Sequence, residues 1–568
     1  MDFNNCADKF CCNEGHKLII NEIYRTIIHI LSRASEISYA GPTLKKYRPV
    51  PGWNKHVSGA HRVARSAYQN WLLMGKPTSG PDYIDMCQTR QVFKSKLKYC
   101  QDNKKQIRLD IMAQHHSNKH FGKFWRQTNK LNLKPRCPAS VAGVHEPREV
   151  ANLFQQQFKV EPANNCSSNQ MFDAESLTGD VSIRFSASDI ASVIHKMVRG
   201  RSPGHDNLSI EHLKYAGPHL SRVLALFFNL CISHCHLPDE LMYTVVVPIV
   251  KNRTGDVSDI SNYRPISLAN VIAKVLDSLI DKHLDRHIQL HDSQFGFRPG
   301  LSTESAILCL KQTVQYYTDR KTPVLACYLD LSKAFDLVSY NVLWQKLKKE
   351  ANVPSDIVAI LKYWYSRQQN VVKWAGAYSD VYRLKCGVRQ GGLTSPRLFN
   401  LYMNQLIGEL SSTKVGCHVS GVCLNNISYA DDMVLLSPSI RGMRQLLHIC
   451  EEYTRAQGLR YNVNKSEMMI FKAGKTGYSN PPPLLLCGTA LKKVDSYKYL
   501  GHWVSEDLVD NADMERERRA LSVRCNMLAR RFARCTDEVK VTLFKAFCQT
   551  FYTCSLWVKY TQRTYRAL

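Results

Sequence analysis

The sequence predicts a mixed α+β fold, because strand-like and helix-like segments surround three conspicuous motifs. The continuous apolar run 324–329 is typical of a buried strand, and it ends at Asp330. A glycine-rich loop at 386–396 leads into 398–410, an amphipathic stretch with helical periodicity. Short β-prone runs flank the tetrapeptide YADD at 429–432, a pattern that predicts a β-hairpin with carboxylates at its tip.

The hairpin tip concentrates negative charge in a way that indicates a metal site. Adjacent carboxylates repel each other and lose hydration unless a cation neutralises them. Asp431 and Asp432 therefore suggest a hard divalent cation such as Mg²⁺, which prefers oxygen ligands. An ordinary acidic turn is the alternative when the tetrapeptide is taken alone. Asp330, at the end of an earlier strand-like run, is a second acidic element and favours the metal site.

The three motifs occur in the order found in the palm of template-copying polymerases. A strand ending in aspartate comes first, then a glycine-rich loop with its helix, then an acidic hairpin. The chain resembles the reverse transcriptases of non-LTR (LINE-type) retrotransposons. Its GVRQGG and SYADD segments resemble the jockey-like and chicken-repeat-like branches, although many relatives carry proline before the glutamine. Further segments match in the family's order: 200–206, 247–251, 262–267, 294–303, 458–466 and 499–501.

The resemblance implies a right-hand polymerase with fingers, palm and helical thumb, preceded by a basic, mostly helical extension. Together with the pattern of the residues, it divides the chain into a helical lead-in at 1–50, with a helical stretch from His16 to Ser38, an RNA-binding extension and linker at 51–180, fingers and palm at 181–505, and an incomplete thumb at 506–568. Full-length members of the family usually carry an endonuclease before the polymerase. We therefore expect a truncated copy whose endonuclease is supplied in trans or by a missing domain.

The resemblance also implies roles for individual residues. Asp330 and Asp431 would be the main ligands of two Mg²⁺ ions, with Mn²⁺ as a substitute. The Leu331 carbonyl would lie nearby, and Asp432 would tune the site. Lys465 would protonate the departing pyrophosphate, with a solvated lysine as the alternative. The remaining predicted contacts are with the nucleotide and template (Lys251, Arg264, Arg298, Phe335, Gln390 and Gly391) and with the primer (Tyr499, Leu500 and Gly501).

Three residues near this site keep two interpretations each. Phe335 lies where the family places an aromatic ring under the incoming sugar, which would exclude a 2′-OH, but a core phenylalanine is the alternative. Arg298 would either contact nucleotide or template, or brace the fingers. Asp336 is expected to face solvent or orient a helix rather than bind metal.

The charge balance indicates a polyanionic partner. The 568-residue chain has a formal net charge of +28, and residues 51–140 hold 17 Lys and Arg against 4 Asp and Glu. Interleaved aromatic residues suit contact with RNA backbone and bases, whereas amphipathic helices with solvated basic faces are the alternative. The expected partners are an RNA template, a DNA primer and dNTPs.

The 20 cysteines are scattered without paired spacing. Together with the lack of a visible secretory signal or bilayer-length apolar run, this predicts reduced thiols, an intracellular (cytoplasmic or nuclear) protein and no membrane partner. Cys6, Cys11, Cys12 and His16 match no standard zinc finger and lack a second ligand pair, so the sequence disfavours zinc.

The leading function is therefore an RNA-directed DNA polymerase that extends a primer 3′-OH by two-metal nucleotidyl transfer. The YRPISL motif at 263–268 and the absence of recognisable maturation and endonuclease segments in this sequence disfavour an intron-encoded reverse transcriptase. A non-catalytic RNA-binding remnant of a retroelement is the alternative from another class, and the intact Asp330, Asp431 and Asp432 argue against it.

Overall fold

The computed structural model describes residues 10–39, 53–130, 138–162, 181–252, 255–474 and 482–568. In chain order its helices are α1 (Glu14–Tyr39), α2 (Lys55–Leu73), α3 (Pro81–Asp102), α4 (Lys104–Ser117), α5 (Phe121–Lys130), α6 (Pro147–Phe158), α7 (Ala187–Lys196), α8 (Ile210–Tyr215), α9 (His219–Ser233), α10 (Asp239–Met242), α11 (Val271–His287), α12 (Thr303–Asp319), α13 (Tyr340–Lys349), α14 (Ser355–Arg367), α15 (Ser395–Ser412), α16 (Ile440–Gln457), α17 (Asn511–Arg531), α18 (Asp537–Phe547) and α19 (Gln562–Ala567).

The strands are β1 (Tyr243–Val250), β2 (Tyr263–Leu268), β3 (Val324–Leu329), β4 (Gln369–Trp374), β5 (Ala377–Tyr378), β6 (His418–Val419), β7 (Val422–Cys423), β8 (Asn426–Tyr429), β9 (Asp432–Ser437), β10 (Glu467–Phe471), β11 (Leu485–Leu486), β12 (Thr489–Ala490), β13 (Lys492–Lys493), β14 (Ser496–Tyr499) and β15 (His502–Ser505). Short 3₁₀ turns lie at Ile260–Asn262, Ala334–Leu337 and Cys554–Leu556. The predicted α+β class is confirmed.

The five-stranded sheet, here called the central sheet, has the order β13-β10-β3-β9-β8. Strand β3 pairs antiparallel with β10 on one side and with β9 on the other. Every residue of β3 is buried, because alternate side chains enter two different hydrophobic clusters. Burial on both faces explains why the strand reads as an unbroken apolar run.

The two faces of the central sheet are covered by different elements. The cluster that takes Leu325, Cys327 and Leu329 also contains apolar residues of α11, α14, α15 and α16. The opposite cluster combines Tyr328 with residues of α12 and of the β14–β15 hairpin. The sheet is thereby fixed from both sides, and its strand ends can hold polar groups at defined positions.

A four-stranded sheet has the order β2-β1-β4-β5, with β1 antiparallel to β2 and parallel to β4. Helix α6 packs on this sheet through Phe154, whose ring meets Tyr263 and Trp374 at centroid distances of 4.9 and 5.0 Å. Although α6 lies in the segment assigned to the RNA-binding extension, its apolar face belongs to this sheet.

Helix α1 confirms the helix expected at the start of the chain. Its buried residues Ile20, Tyr24, Ile27 and Leu31 recur at helical spacing and join the larger core of the central sheet. The Tyr24 ring stacks on Phe227 of α9 at 5.8 Å. Helix α1 therefore packs into the same hydrophobic core as the central sheet.

The described residues divide into two compact units. The first contains α1, the strands β1 to β15 and α6 to α16, and the second contains α2 to α5 with α17 (from Met514), α18 and α19. The second unit has its own core, in which Met112 and Phe124 pack with Val539 and Leu543. Helices assigned to the basic extension and to the thumb thus share one unit.

No helix within the described ranges combines the length and the apolar character needed to cross a bilayer. The cysteines in the described part of the chain are free thiols.

Candidate active site

The acidic hairpin is present as predicted. Strands β8 and β9 pair so that Tyr429 lies opposite Asp432, which leaves Ala430 and Asp431 as a two-residue turn. Ala430 has a φ of 58°, a conformation that a non-glycine residue adopts at some cost. The turn therefore needs support from the surrounding structure.

That support comes from the segment Gln294–Gly296. The Gln294 Oε1 atom accepts hydrogen bonds of 2.9 Å from the Ala430 and Gly296 N–H groups. The Phe295 N–H donates to the Ser428 carbonyl at 2.8 Å. A Cβ on Gly296 would lie 2.3 Å from the Ala430 nitrogen, so glycine alone permits this close approach.

Three carboxylates meet at one edge of the central sheet. Leu329 pairs with Met433 in antiparallel register, so Asp330, the residue after β3, lies beside Asp432, the first residue of β9. Burial raises the pKa of Asp330 and of Asp431, and the Asp330 charge raises that of Asp431 further. Burial and the charges of Asp431 and Asp330 raise the pKa of Asp432 to about 6. The charge of Asp330 therefore opposes the ionisation of Asp431 and Asp432, and the charge of Asp431 opposes that of Asp432.

Backbone and hydroxyl contacts fix the position of Asp330. Its N–H donates to the Ser466 Oγ atom at 3.1 Å, and its carbonyl accepts from the Asn462 N–H at 2.8 Å. Leu331 forms an isolated antiparallel bridge with Tyr461. The backbone of Asp330 and Leu331 is thus held against residues 461–466, the segment that also carries Lys465.

Cationic side chains converge on the same edge. Burial lowers the pKa of Lys251, and the nearby charges of Lys465 and Arg264 lower it further. Arg264 also opposes the rise in the Asp431 pKa, and Lys465 opposes that of Asp330. Three of the predicted cations are therefore close to one another and to the carboxylates. Lys465 is exposed, so its solvated alternative stays open.

The glycine-rich loop approaches this cluster through Gln390. Its Nε2 donates to the Asp336 Oδ1 atom at 2.9 Å, and its carbonyl accepts from the Ser267 N–H at 2.9 Å. Gly391 has a φ of 105°, and a Cβ there would lie 3.2 Å from the Ser267 carbonyl oxygen. Asp336 is half-buried, and burial raises its pKa. The solvent-facing interpretation of Asp336 is therefore wrong, because its carboxylate orients the Gln390 amide.

Sequence reasoning missed the residues that anchor this loop. The Asp277 carboxylate accepts from the Leu393 N–H (2.7 Å), the Thr394 hydroxyl (2.8 Å) and the Arg389 Nη2 group (3.1 Å). The buried Arg389 guanidinium also lies over the Trp364 ring at 4.2 Å. A buried aspartate on a helix carries no local sequence signal, since its partners lie more than a hundred residues away.

Phe335 is half-buried and stacks on the buried Phe399 ring, with 4.4 Å between centroids and 12° between planes. The exposed Phe297 ring approaches it edge-on at 6.4 Å. Phe335 thus contributes one face to the core while it retains exposed surface beside Asp336.

Arg298 is engaged within its own loop. Its Nη1 group donates to the carbonyls of His291 (3.1 Å) and Gln294 (3.3 Å), and its guanidinium pairs with Asp292 at 3.4 Å. These contacts favour the bracing interpretation, because they hold the loop that carries Gln294.

The predicted primer contacts form a separate hairpin. Tyr499 pairs with His502, and Leu500 and Gly501 both have positive φ, at 46° and 88°, as a tight hairpin turn requires. In the same hairpin, the Tyr497 ring stacks on Tyr328 at 3.9 Å. Because Tyr328 is two residues before Asp330, this stack places the hairpin close to the carboxylates. Burial and the charges of Asp432 and Asp330 raise the pKa of Tyr497 to about 12.

We predict that Gly296→Ala destabilises the acidic hairpin by about 1–3 kcal/mol, because the new methyl group overlaps the Ala430 nitrogen. Urea unfolding followed by fluorescence measures the loss. Gly408→Ala is the control, since that position lies on α15 with open space around it. Equal stability of Gly296→Ala and the parent chain would contradict the close approach.

We predict that Asp432→Asn raises the melting temperature at pH 8 in metal-free buffer. A carboxylate whose pKa is raised on folding destabilises the folded state as pH rises from about 4 through about 6. The gain should shrink toward pH 5, where the parent side chain is protonated, and solvent access to Asp432 keeps it modest. Added Mg²⁺ should stabilise the parent more than the variant. Asp102→Asn is the control, and an equal gain there would refute the local repulsion.

Comparison with known proteins identifies relatives of the same region. Residues 250–504 match the family described as reverse transcriptase (RNA-dependent DNA polymerase). A probable RNA-directed DNA polymerase from transposon BS of Drosophila melanogaster is 26% identical over 66% of this chain and 43% of its own length. The RNA-directed DNA polymerase from mobile element jockey of the same fly is 23% identical over 66% of this chain and 43% of its own length. A solved telomerase from Candida tropicalis aligns with 12% identity and a TM-score of 0.34, over 52% of this chain and 53% of that one.

The chain spans less than half the length of the two transposon proteins. The family match begins at the end of β1 and includes the carboxylate cluster, the glycine-rich loop and both hairpins. Members of this family generally use divalent metals. The oxygen-rich cluster of Asp330, Asp431 and Asp432 is suited to such a cation. Residues 250–504 thus match the reverse transcriptase family, and over this region the chain is similar to the RNA-directed DNA polymerases of non-LTR retrotransposons.

Proposed function

We propose that this chain extends the 3′-OH of a DNA primer with dNTPs by copying an RNA template. The observation that carries the proposal is the meeting of two clusters of opposite charge. Asp330, Asp431 and Asp432 gather on the central sheet, and Lys251, Arg264 and Lys465 converge beside them. Nucleotidyl transfer needs such an arrangement, because metal ligands and phosphate contacts must meet at one reacting phosphorus.

The donor set fits Mg²⁺. Asp330, Asp431 and the Leu331 carbonyl offer hard oxygen atoms, and Asp432 is a weaker partner. Burial makes the uncompensated charges of this cluster costly, so the folded protein gains from a divalent cation. When bound, a pair of such cations supplies activation of the primer hydroxyl and neutralisation of the triphosphate and leaving pyrophosphate.

The cations of the chain bind and orient the triphosphate. Arg264 lies on β2, where the register places it opposite Ile249, and Lys251 directly follows the antiparallel strand β1. The planar Arg264 guanidinium pairs with two phosphate oxygens at once, whereas the Lys251 ammonium acts as a point charge. Lys465 holds a proton beside Asp330 that it donates to the pyrophosphate oxygen.

The aromatic and amide groups select the nucleotide. The stack on Phe399 holds the Phe335 ring so that its remaining surface lies under the sugar and leaves no room for a 2′-OH. The bond from Asp336 keeps the Gln390 amide in one orientation, and Gly391 lets the backbone come close to the template base pair.

Nucleic acid is held by two further features. The turn at Tyr499, Leu500 and Gly501 grips the primer next to the carboxylates. Template RNA lies on α3, where the exposed side chains of Arg90, Lys94 and Lys98 recur every four residues along one stripe of the helix. The exposed Tyr99 ring on the same helix offers a stacking surface.

We predict that Asp330→Ala or Asp431→Ala lowers primer extension on an RNA template by at least about a hundredfold, because metal ligands act mainly on the transition state. RNA affinity should stay within about twofold, since it depends on dispersed cations. Asp432→Asn should be milder than either change.

The complementary control is the triple variant Arg90→Ala, Lys94→Ala, Lys98→Ala. It should weaken RNA binding and flatten its salt dependence, and single-turnover extension at saturating RNA should stay near that of the parent. Extension at the parental rate by Asp431→Ala would refute the assignment of the carboxylates.

We predict that Phe335→Val raises the incorporation of ribonucleotides relative to deoxynucleotides by about tenfold or more, because loss of the ring opens space beside the 2′ carbon. The measurement is the ratio of kcat/KM for dGTP and GTP on one template. Phe471→Leu removes packing from a buried ring of the central sheet and should leave the ratio unchanged. If the ratio is unchanged in an active Phe335→Val enzyme, Phe335 is a core residue and does not select the sugar.

A further inference from the structure

Three metal-ligating atoms converge outside the active site, where the segment before α1 meets the end of α9. The Cys11 Sγ atom lies 3.6 Å from His16 Nδ1, and His16 Nδ1 lies 3.2 Å from His234 Nε2. All three atoms are within 4.8 Å of one another. His234 is buried, whereas Cys11 and His16 are half-buried.

These separations match the edges of a zinc tetrahedron. Zinc–nitrogen bonds of about 2.0–2.1 Å and zinc–sulfur bonds of about 2.3 Å give tetrahedral edges of about 3.3 Å between two nitrogens and about 3.6 Å between nitrogen and sulfur. The measured distances of 3.2 and 3.6 Å agree with both values. Two edges of the tetrahedron are therefore present, and the third separation, between Cys11 Sγ and His234 Nε2, is within 4.8 Å.

The second ring nitrogen of His234 is fixed by a backbone contact. His234 Nδ1 lies 2.9 Å from the Leu230 carbonyl oxygen, and a carbonyl only accepts hydrogen bonds. The neutral ring thus carries its proton on Nδ1 and turns the lone pair of Nε2 toward His16. Histidine ligands of metals are commonly oriented by a hydrogen bond of this kind.

The geometry of this group brings three donor atoms together. His16 Nδ1 lies between the His234 Nε2 atom and the Cys11 sulfur. A cation bound between the three atoms engages a thiolate and two imidazole lone pairs together, which is a donor set that Zn²⁺ favours over Mg²⁺.

We propose that Cys11, His16 and His234 bind a structural Zn²⁺ ion, with the fourth position taken by water or by the neighbouring Cys12. The ion ties the segment before α1 to the end of α9, where the Cys11 N–H already donates to the Ser233 carbonyl at 2.9 Å. The sequence alone disfavoured zinc because the missing ligand, His234, is 218 residues from His16. Cys6, the other cysteine of that early cluster, lies outside the described residues.

The test is the metal content of the full chain. Protein is expressed with added zinc, freed of its affinity tag, dialysed against Mg²⁺ and analysed by plasma mass spectrometry. We expect about one zinc per chain in the parent and a loss of at least about fivefold in Cys11→Ser and His234→Gln. His236→Gln is the matched control, because this neighbouring half-buried histidine bonds to Asn21 (2.8 Å) and Tyr363 (2.8 Å) and is outside the cluster.

A second measurement separates loss of the ion from loss of the fold. The folded parent, stripped with a zinc-selective chelator in excess Mg²⁺, is titrated with Co²⁺. We expect the absorption of a four-coordinate Co²⁺ site with a thiolate charge-transfer band, and we expect His16→Gln to abolish the site. Absence of zinc from the parent, equal zinc in Cys11→Ser and His234→Gln, or failure of the stripped parent to bind Co²⁺ would each overturn the proposal.

Discussion

Mutual repulsion among Asp330, Asp431 and Asp432 is the constraint on which the rest of the site depends. Burial raises the pKa of each group, and neighbouring carboxylates raise those of Asp431 and Asp432 further, so the folded chain bears a free-energy cost to keep the three groups together. A flexible loop would relieve that cost by moving the groups apart. Two paired strands cannot, because the register of β3 with β9 fixes where the carboxylates emerge.

The supports of this cluster come from distant parts of the chain and are mostly buried polar groups. Gln294 holds the hairpin turn, Ser466 holds the backbone of Asp330, and Asp277 holds the glycine-rich loop through Arg389. Such bonds are strong where water is excluded, and they position reactive groups before substrate arrives. Gly296 adds a steric requirement, since any side chain there would displace the turn.

Local pattern was enough to predict the elements that carry the chemistry. The buried strand before Asp330 and the acidic hairpin at Asp431 and Asp432 each follow from a pattern over a few residues. The placement of Asp277 and His234 did not follow, because their partners are brought together only by packing. Asp336 and Arg298 show the same limit, since the sequence left their partners open.

Helix α1 is linked to the active site by a continuous series of contacts. Its Tyr24 hydroxyl accepts a 3.0 Å hydrogen bond from the buried side chain of Asn270, the residue that precedes α11. Two turns along α11, Asp277 anchors the loop that carries Gln390. A metal ion that secures the start of α1 would therefore restrict the helix that supports this loop. The soft donors beside α1 and the hard oxygen donors of the carboxylate cluster favour different metals, so the two sites can be filled independently, one to hold the fold and one to serve the chemistry.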